Sequence, residues 1–187
     1  MDVDMEATGA RPEGPDSRDR VLQARGISEP STASCLLAVD VGNTVTKFGV
    51  FAADELAGTW EVTTSERCTA DEAWAQAACA IDMLGAPEPT SAILSCVVPS
   101  LAEVWRSALG KLCGTRPYAV GPGLKPGIRM RYDDPSEVGS DRVADAVAAR
   151  ETYGAPVVVV DLGTTTNIEV VDESGAFAGG IIAPGVA

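Results

Sequence analysis

Histidine is absent from the 187 residues. That excludes every mechanism built on imidazole: Ser-His-Asp triads, histidine zinc sites and histidine general bases. Aromatic residues are scarce, at 5%, and no apolar run is long enough to cross a bilayer as a helix. The first residues lack a basic segment followed by an apolar stretch, so no secretory signal is read there. Positive charge is also in short supply: 14 Lys and Arg stand against 27 Asp and Glu, a net charge of −13. Nonspecific attraction to nucleic acid or to an anionic membrane is therefore disfavoured, and neither is expected as a partner. An anionic substrate would need locally placed cations or backbone N–H groups. The five cysteines (Cys35, Cys68, Cys79, Cys96 and Cys113) show no C-x-x-C spacing. They read as buried, reduced thiols, and the whole balance fits a cytoplasmic protein.

What is present divides the chain. Residues 1–34 mix acids, Arg, Gly, Pro and Ser with few large apolar residues, and read as a disordered extension. From Leu36 the pattern becomes that of an α/β protein. Leu36–Asp40 reads as a buried strand, Thr46–Phe51 as a second, and Thr59–Thr64 as a third after a polar turn "AADELAG". Thr69 and Glu72 form a capping box opening a helix with Ala73, Trp74, Ala77 and Ile81 on its apolar stripe. Ala92–Val98 reads as a buried strand. Ser100 and Glu103 read as a second capping box, before a helix with Leu101, Trp105 and Leu109 on one face. Arg116–Val120 supplies a fifth strand. This order, β-β-β-α-β-α-β, resembles a ribonuclease-H-like half, with its boundary at 35–122. Residues 123–187 then hold a linker, a helix from about Ser140 to Tyr153, a buried strand Pro156–Asp161 and the start of a second half. The Gly/Pro-rich "GPGLKPG" (121–127) does not join a strand to a helix, so it is no dinucleotide fingerprint.

The most informative feature is a repeat. Residues 39–44 read V-D-V-G-N-T and residues 160–165 read V-D-L-G-T-T, each after an apolar run and before another strand. Gly42 and Gly163 let a ligand approach the backbone. Asn43, Thr44, Thr164 and Thr165 offer hydroxyl, amide and N–H donors of the kind phosphate oxygens accept. Asp40 and Asp161 end apolar strands, where an ionised carboxylate needs a cation or strong donors beside it. Two such hairpins facing each other would grip one polyphosphate from both sides.

This double hairpin resembles the actin-like ATPase superfamily, which implies two ribonuclease-H-like halves with mixed sheets. Three segments narrow the likeness: "DVGNTVTKFGVF", "GPGLKPGIRMRYDDPSEVGSDRVADAVAA" and "VVVVDLGTTTNIEVVDESGAFAGGIIAPGV" together look like the type III pantothenate kinases, from Leu36 to the last residue. The resemblance implies ATP-dependent phosphorylation of pantothenate to 4′-phosphopantothenate, the first step of coenzyme A biosynthesis. It implies ATP contacts from Asp40, Val41, Gly42, Asn43, Thr44, Val45, Thr46, Lys47 and Thr164. Pantothenate would be held by Tyr132, Gly139, Ser140, Asp141 and Arg142, with Asp141 as the catalytic base. Asp141 falls in the first turn of a helix that Ser140 is expected to cap, where the helix dipole favours an ionised carboxylate. Arg142, a planar bidentate donor, suits the substrate carboxylate. Asp161 matches the ligand of a monovalent cation, K+ or NH4+, and Mg2+ would accompany the nucleotide. Asp145, one turn past Asp141, is a possible second acid. Ser140 and Asn167 depart from the family's alanine and threonine. The family also continues beyond the motif at 179–185, so the resemblance implies a truncated second half here and a homodimer in a full-length form. Two other readings stay open: an actin-like phosphotransferase or phosphohydrolase with another acceptor, and a noncatalytic accessory protein.

Overall fold

The computed structural model describes residues 35–53, 55–121, 127–131, 134 and 137–185. The expected disordered extension, most of the 121–127 linker and Tyr132 lie outside the described residues.

Strand β1 (Cys35–Val41) alternates as its sequence dictates, with Cys35, Leu37, Val39 and Val41 buried and the residues between them half-buried. It turns at Gly42 into β2 (Val45–Ala52), and β2 turns into β3 (Glu55–Thr63). The expected polar turn over "AADELAG" is corrected here. Backbone pairing runs on to Ala52↔Glu55 past a bulge at Val50/Phe51, so β3 starts four residues earlier than its apolar pattern suggested. An edge strand needs only its ladder bonds, and β3 keeps Glu55, Leu56 and Ala57 in solvent, so polarity concealed it.

Helix α1 (Ala70–Met83) starts at the Thr69–Glu72 capping box, with both reciprocal bonds made. Its buried stripe is Ala73, Ala77, Ala80 and Ile81; Trp74 lies outside it, with the Lys111 ammonium over its ring at 5.2 Å. Strand β4 (Ser91–Cys96) leads into α2 (Pro99–Cys113). The second expected capping box is not formed. Val98 is the N-cap, Pro99 opens the helix, and Glu103 pairs with Arg106 instead. Proline's fixed φ presets the first turn and moves the start one residue ahead of Ser100. Strand β5 is short (Tyr118–Ala119).

These strands form a five-stranded sheet in the order β3-β2-β1-β4-β5, antiparallel through β1–β3 and parallel through β1, β4 and β5. The succession of elements, β-β-β-α-β-α-β, is the one expected from the sequence. The core joins the inner sheet face to α1 and α2, centred on Leu37, Phe48, Leu101, Trp105 and Leu109, with the Phe48 and Trp105 rings 5.6 Å apart. Of the five cysteines only Cys35 is buried and Cys79 is exposed; all are unpaired.

A four-stranded sheet follows, in the order β6-β9-β8-β7, from β6 (Arg129–Met130), β7 (Val157–Leu162), β8 (Thr165–Val171) and β9 (Ala176–Pro184). Helix α3 (Ser140–Tyr153) covers one face, packing Val143 and Ala146 against Val171 and Phe177. In-register partners share a face, so Val158, Val160, Leu162, Ile168, Val170 and Ile181 lie together on the opposite one. Nothing among the described residues covers it: Val160 is 54% exposed, Leu162 64% and Ile181 59%. The expected buried strand at 156–161 is thus present but not buried. Four consecutive valines specify a strand, whereas burial depends on a second layer.

Candidate active site

The two repeated turns meet. Gly42 N donates to Val45 O at 3.1 Å and Gly163 N to Thr165 O at 3.0 Å, so each acid–glycine turn closes its own hairpin. The hydroxyls of Thr44 and Thr164 lie 3.0 Å apart, joining turns that are 120 residues apart in sequence. A side chain at Gly42 would meet the Val45 carbonyl at 2.9 Å. At Gly163 the nearest protein atom would be the Thr165 carbonyl at 3.7 Å, an ordinary contact. Asn43, Thr44 and Lys47 are exposed at the rim. Val41 and Thr46 point inward: Val41 is core, and the Thr46 hydroxyl hydrogen-bonds that of Thr64 at 2.9 Å. Neither side chain is therefore available to a ligand.

Helix α3 carries the second set of groups to the same place. Its N-cap is Gly139, without a side-chain cap bond, which corrects the expectation that Ser140 caps it. The Ser140 hydroxyl is buried and faces β4: it accepts from Cys96 N at 3.1 Å and lies 3.0 Å from the Ser95 hydroxyl. Ser95 is the register partner of Asp40 in the neighbouring strand, and its hydroxyl favours the ionised form of that carboxyl. Asp141 stands in the first turn of α3, where its Oδ1 accepts from Arg142 N at 2.8 Å. A side chain at Gly139 would press on Asp141 Oδ1 and oblige that carboxylate to shift.

The carboxylates of these elements sense one another. Burial raises the Asp40 pKa; the Ser95 hydroxyl lowers it, Asp141 raises it, and then Lys47 lowers it and Asp161 raises it. Asp145 is pushed up to about 6, by burial first and then by Asp161, Glu169, Asp141 and Asp40. Strand β1, strand β7 and helix α3 therefore bring four aspartates into one field, with Asp40 Oδ1 buried and unpartnered among the described residues. Asp161 itself is exposed, so the burial argument for a cation beside it fails. No group of three His, Cys, Asp or Glu able to hold a metal ion exists among the described residues.

Sequence reasoning missed Ser95, Glu169 and Gly180. Ser95, a polar residue at the end of the apolar run "SAILS", was a visible signal. Glu169 was visible only as a carboxylate between two apolar neighbours in β8. Arg142 is not free on the helix surface: it is buried and bound to Glu169 at 2.7 Å. Asn167 is buried as well, accepting from the Thr165 hydroxyl at 3.3 Å.

Two mixed sheets, each opening on an acid–glycine hairpin, with the hairpin turns in contact, define an α/β protein of the actin-like class. Residues 36–187 match the model of the type III pantothenate kinases, and the chain belongs to that family. It is 40% identical over 153 residues to the type III pantothenate kinase of Moorella thermoacetica, across 81% of this chain and 60% of that protein. It is 46% identical to that of Rhodospirillum centenum, across 80% and 59% respectively. The chain thus spans about three-fifths of the length of the curated relatives it matches. Among solved structures, the ROK hexokinase from Thermus thermophilus aligns with a TM-score of 0.47 at 17% identity, over 76% of this chain and 48% of that one.

Proposed function

We propose that this chain carries the nucleotide and substrate groups of an ATP-dependent pantothenate kinase, which forms 4′-phosphopantothenate at the entry to coenzyme A biosynthesis. The observation that carries the reading is the meeting of the two turns, Thr44 to Thr164 at 3.0 Å, beside the helix start that presents Asp141. The exposed donors of Asn43, Thr44, Thr164 and Lys47 would hold the ATP phosphates, helped by the backbone of Asp40 to Lys47.

Phosphoryl transfer passes through a loose transition state, so positioning and charge matter more than early proton removal. Asp141 accepts the proton of the pantothenate hydroxyl as its oxygen bonds to the γ-phosphorus and the bond to ADP breaks. Gly139 leaves room for that carboxylate, and the Arg142 amide fixes one of its oxygens. Arg142 takes the substrate carboxylate, and family likeness assigns pantothenate contacts to Tyr132 and Ser140 as well.

Asp40, with its unpartnered buried oxygen, fits a magnesium ion carried in on the phosphates. Held there, such an ion would supply positive charge to offset that of the phosphates. Asp161 offers carboxylate oxygens that would ligate K+ or accept hydrogen bonds from NH4+. Family likeness further supports a cytoplasmic homodimer for the full-length protein.

The test is Asp141→Asn. Its rate with ATP and pantothenate should fall by about a hundredfold or more, the scale of a lost general base, while ATP binding by calorimetry persists. Wild-type turnover in the variant would remove Asp141 from the mechanism. Phosphate transfer to an acceptor other than pantothenate would redirect the reading to another actin-like phosphotransferase.

A further inference from the structure

Arg142 and Glu169 form the most deeply buried ion pair among the described residues. Arg142 Nε donates to Glu169 Oε1 at 2.7 Å, with side chains 9% and 0% exposed. Glu169 lies mid-strand in β8, in register with Val159 on one side and Gly180 on the other. A carboxylate fully buried in a sheet is unfavourable unless its oxygens are satisfied. Here they are not: Glu169 Oε2 and Arg142 Nη2 have no partner among the described residues. Well-packed apolar residues in these two positions would often be at least as stable. Stability alone therefore does not account for the pair.

The surroundings fix the guanidinium rather than merely neutralise it. A side chain at Gly180 would collide with Arg142 Nη2 and with the Ile168 carbonyl. The glycine opposite Glu169 thus makes the space in which the guanidinium lies. The Phe177 ring stands against its other side, 6.0 Å from Cζ to the ring centre. Nε is held by Glu169 and Nη2 is buried without a partner near Gly180, whereas Nη1 makes no hydrogen bond among the described residues and is not one of the buried unpartnered atoms.

We propose that Glu169 is a positioning residue: by holding Nε it aims the remaining Nη1 of Arg142 at the substrate carboxylate, in a slot that Gly180 keeps open. The proposal rests on the reading of Arg142 as the carboxylate ligand. An unanchored arginine has several free rotors and would lose their entropy on binding substrate. Held in place beforehand, it meets the ligand already ordered, and this strengthens binding without touching the reacting atoms.

Steady-state kinetics and calorimetry on the full chain test this with Arg142→Lys, Glu169→Gln and the double variant. Glu169→Gln should raise the pantothenate KM about tenfold, the scale of one lost charge-assisted contact. ATP affinity should be unchanged and kcat should move far less than KM. Arg142→Lys should raise the same KM, and adding Glu169→Gln to it should change nothing more, because both act through one guanidinium. Glu169→Asp, which keeps the charge on a shorter arm, should recover part of the loss and serves as the comparison if Glu169→Gln melts below assay temperature.

An unchanged pantothenate KM in Glu169→Gln, or a Glu169 effect of equal size in the Arg142→Lys background, overturns the positioning role. An Arg142→Lys variant with normal pantothenate affinity instead overturns the assignment of Arg142 as carboxylate ligand. Wild-type protein that neither binds nor phosphorylates pantothenate overturns both.

Discussion

Asp145 shows how one side chain reports on the whole cleft. It lies one turn beyond Asp141, and burial together with Asp161, Glu169, Asp141 and Asp40 pushes its pKa up to about 6. A carboxyl whose folded pKa exceeds its unfolded value binds more protons when folded in the interval between them. Stability then falls as pH rises across about 4 to 6. Asp40, raised chiefly by burial, acts in the same direction. We therefore expect the ligand-free protein in metal-free buffer to lose thermal stability across that interval. Asp145→Asn should melt higher than wild type at neutral pH and converge with it only below about pH 3, where the carboxyl is protonated in both states. Melting curves recorded against pH decide the point; identical pH profiles for the two proteins would show that Asp145 is not strained by its neighbours.

At the scale of elements, the two helices of the first half make opposite use of similar sequence signals. Thr69 and Glu72 complete their box at the start of α1, with Thr69 N donating to Glu72 Oε2 at 2.8 Å and Glu72 N to Thr69 Oγ1 at 3.3 Å. Removing that cap by Thr69→Ala should cost about 1 kcal/mol, or a drop of about 2–4 °C in Tm for a chain of this size. Ser100→Ala should cost almost nothing, because Val98 and Pro99 start α2 and the serine hydroxyl caps no amide. Paired thermal melts of the two variants check this contrast. Equal losses would mean that the start of α2 is misplaced. Helix α3 follows a third logic. Its first turn has no side-chain cap, and Ser140 instead bonds to β4, so that helix end is anchored to the first sheet while Arg142 anchors it to the second.

For the whole molecule, the second sheet is decisive. Val160, Ile168 and Ile181 form one row across β7, β8 and β9 on the face away from α3, with Val158, Leu162 and Val170 around them. Strand β7 is also an edge, with its outer backbone groups unpaired in the sheet. A contiguous apolar face beside an open edge favours association. The 187-residue chain, purified by itself, should bind a hydrophobic dye and scatter light at raised concentration. Val160→Lys with Ile181→Lys should suppress both signals, because charges in that row face solvent without disturbing the α3 side. Dye binding that is absent in the wild-type chain, or unaffected by the two lysines, would show that this face is covered in solution.

The sequence by itself determined the local features: the alternation of β1, the capping box of α1, the helix at 140–153 and the repeated acid–glycine hairpins. Each depends on neighbours within a few residues, where propensity, period and turn chemistry act directly. The repeat also announced the site, since Asp40 and Asp161 begin matching turns and the structure brings those turns together. Other features belonged to tertiary structure alone. That Arg142 is bound to Glu169, that the Ser140 hydroxyl serves β4 rather than its own helix, and that Asp161 lies in solvent depend on partners 27, 44 and more residues away. A strand's period states that it has two faces, and a run of valines states that both tolerate burial. Neither states which face receives a second layer, because that is settled by segments distant in the chain, and a carboxylate's need for a cation follows from that layer rather than from its own neighbours.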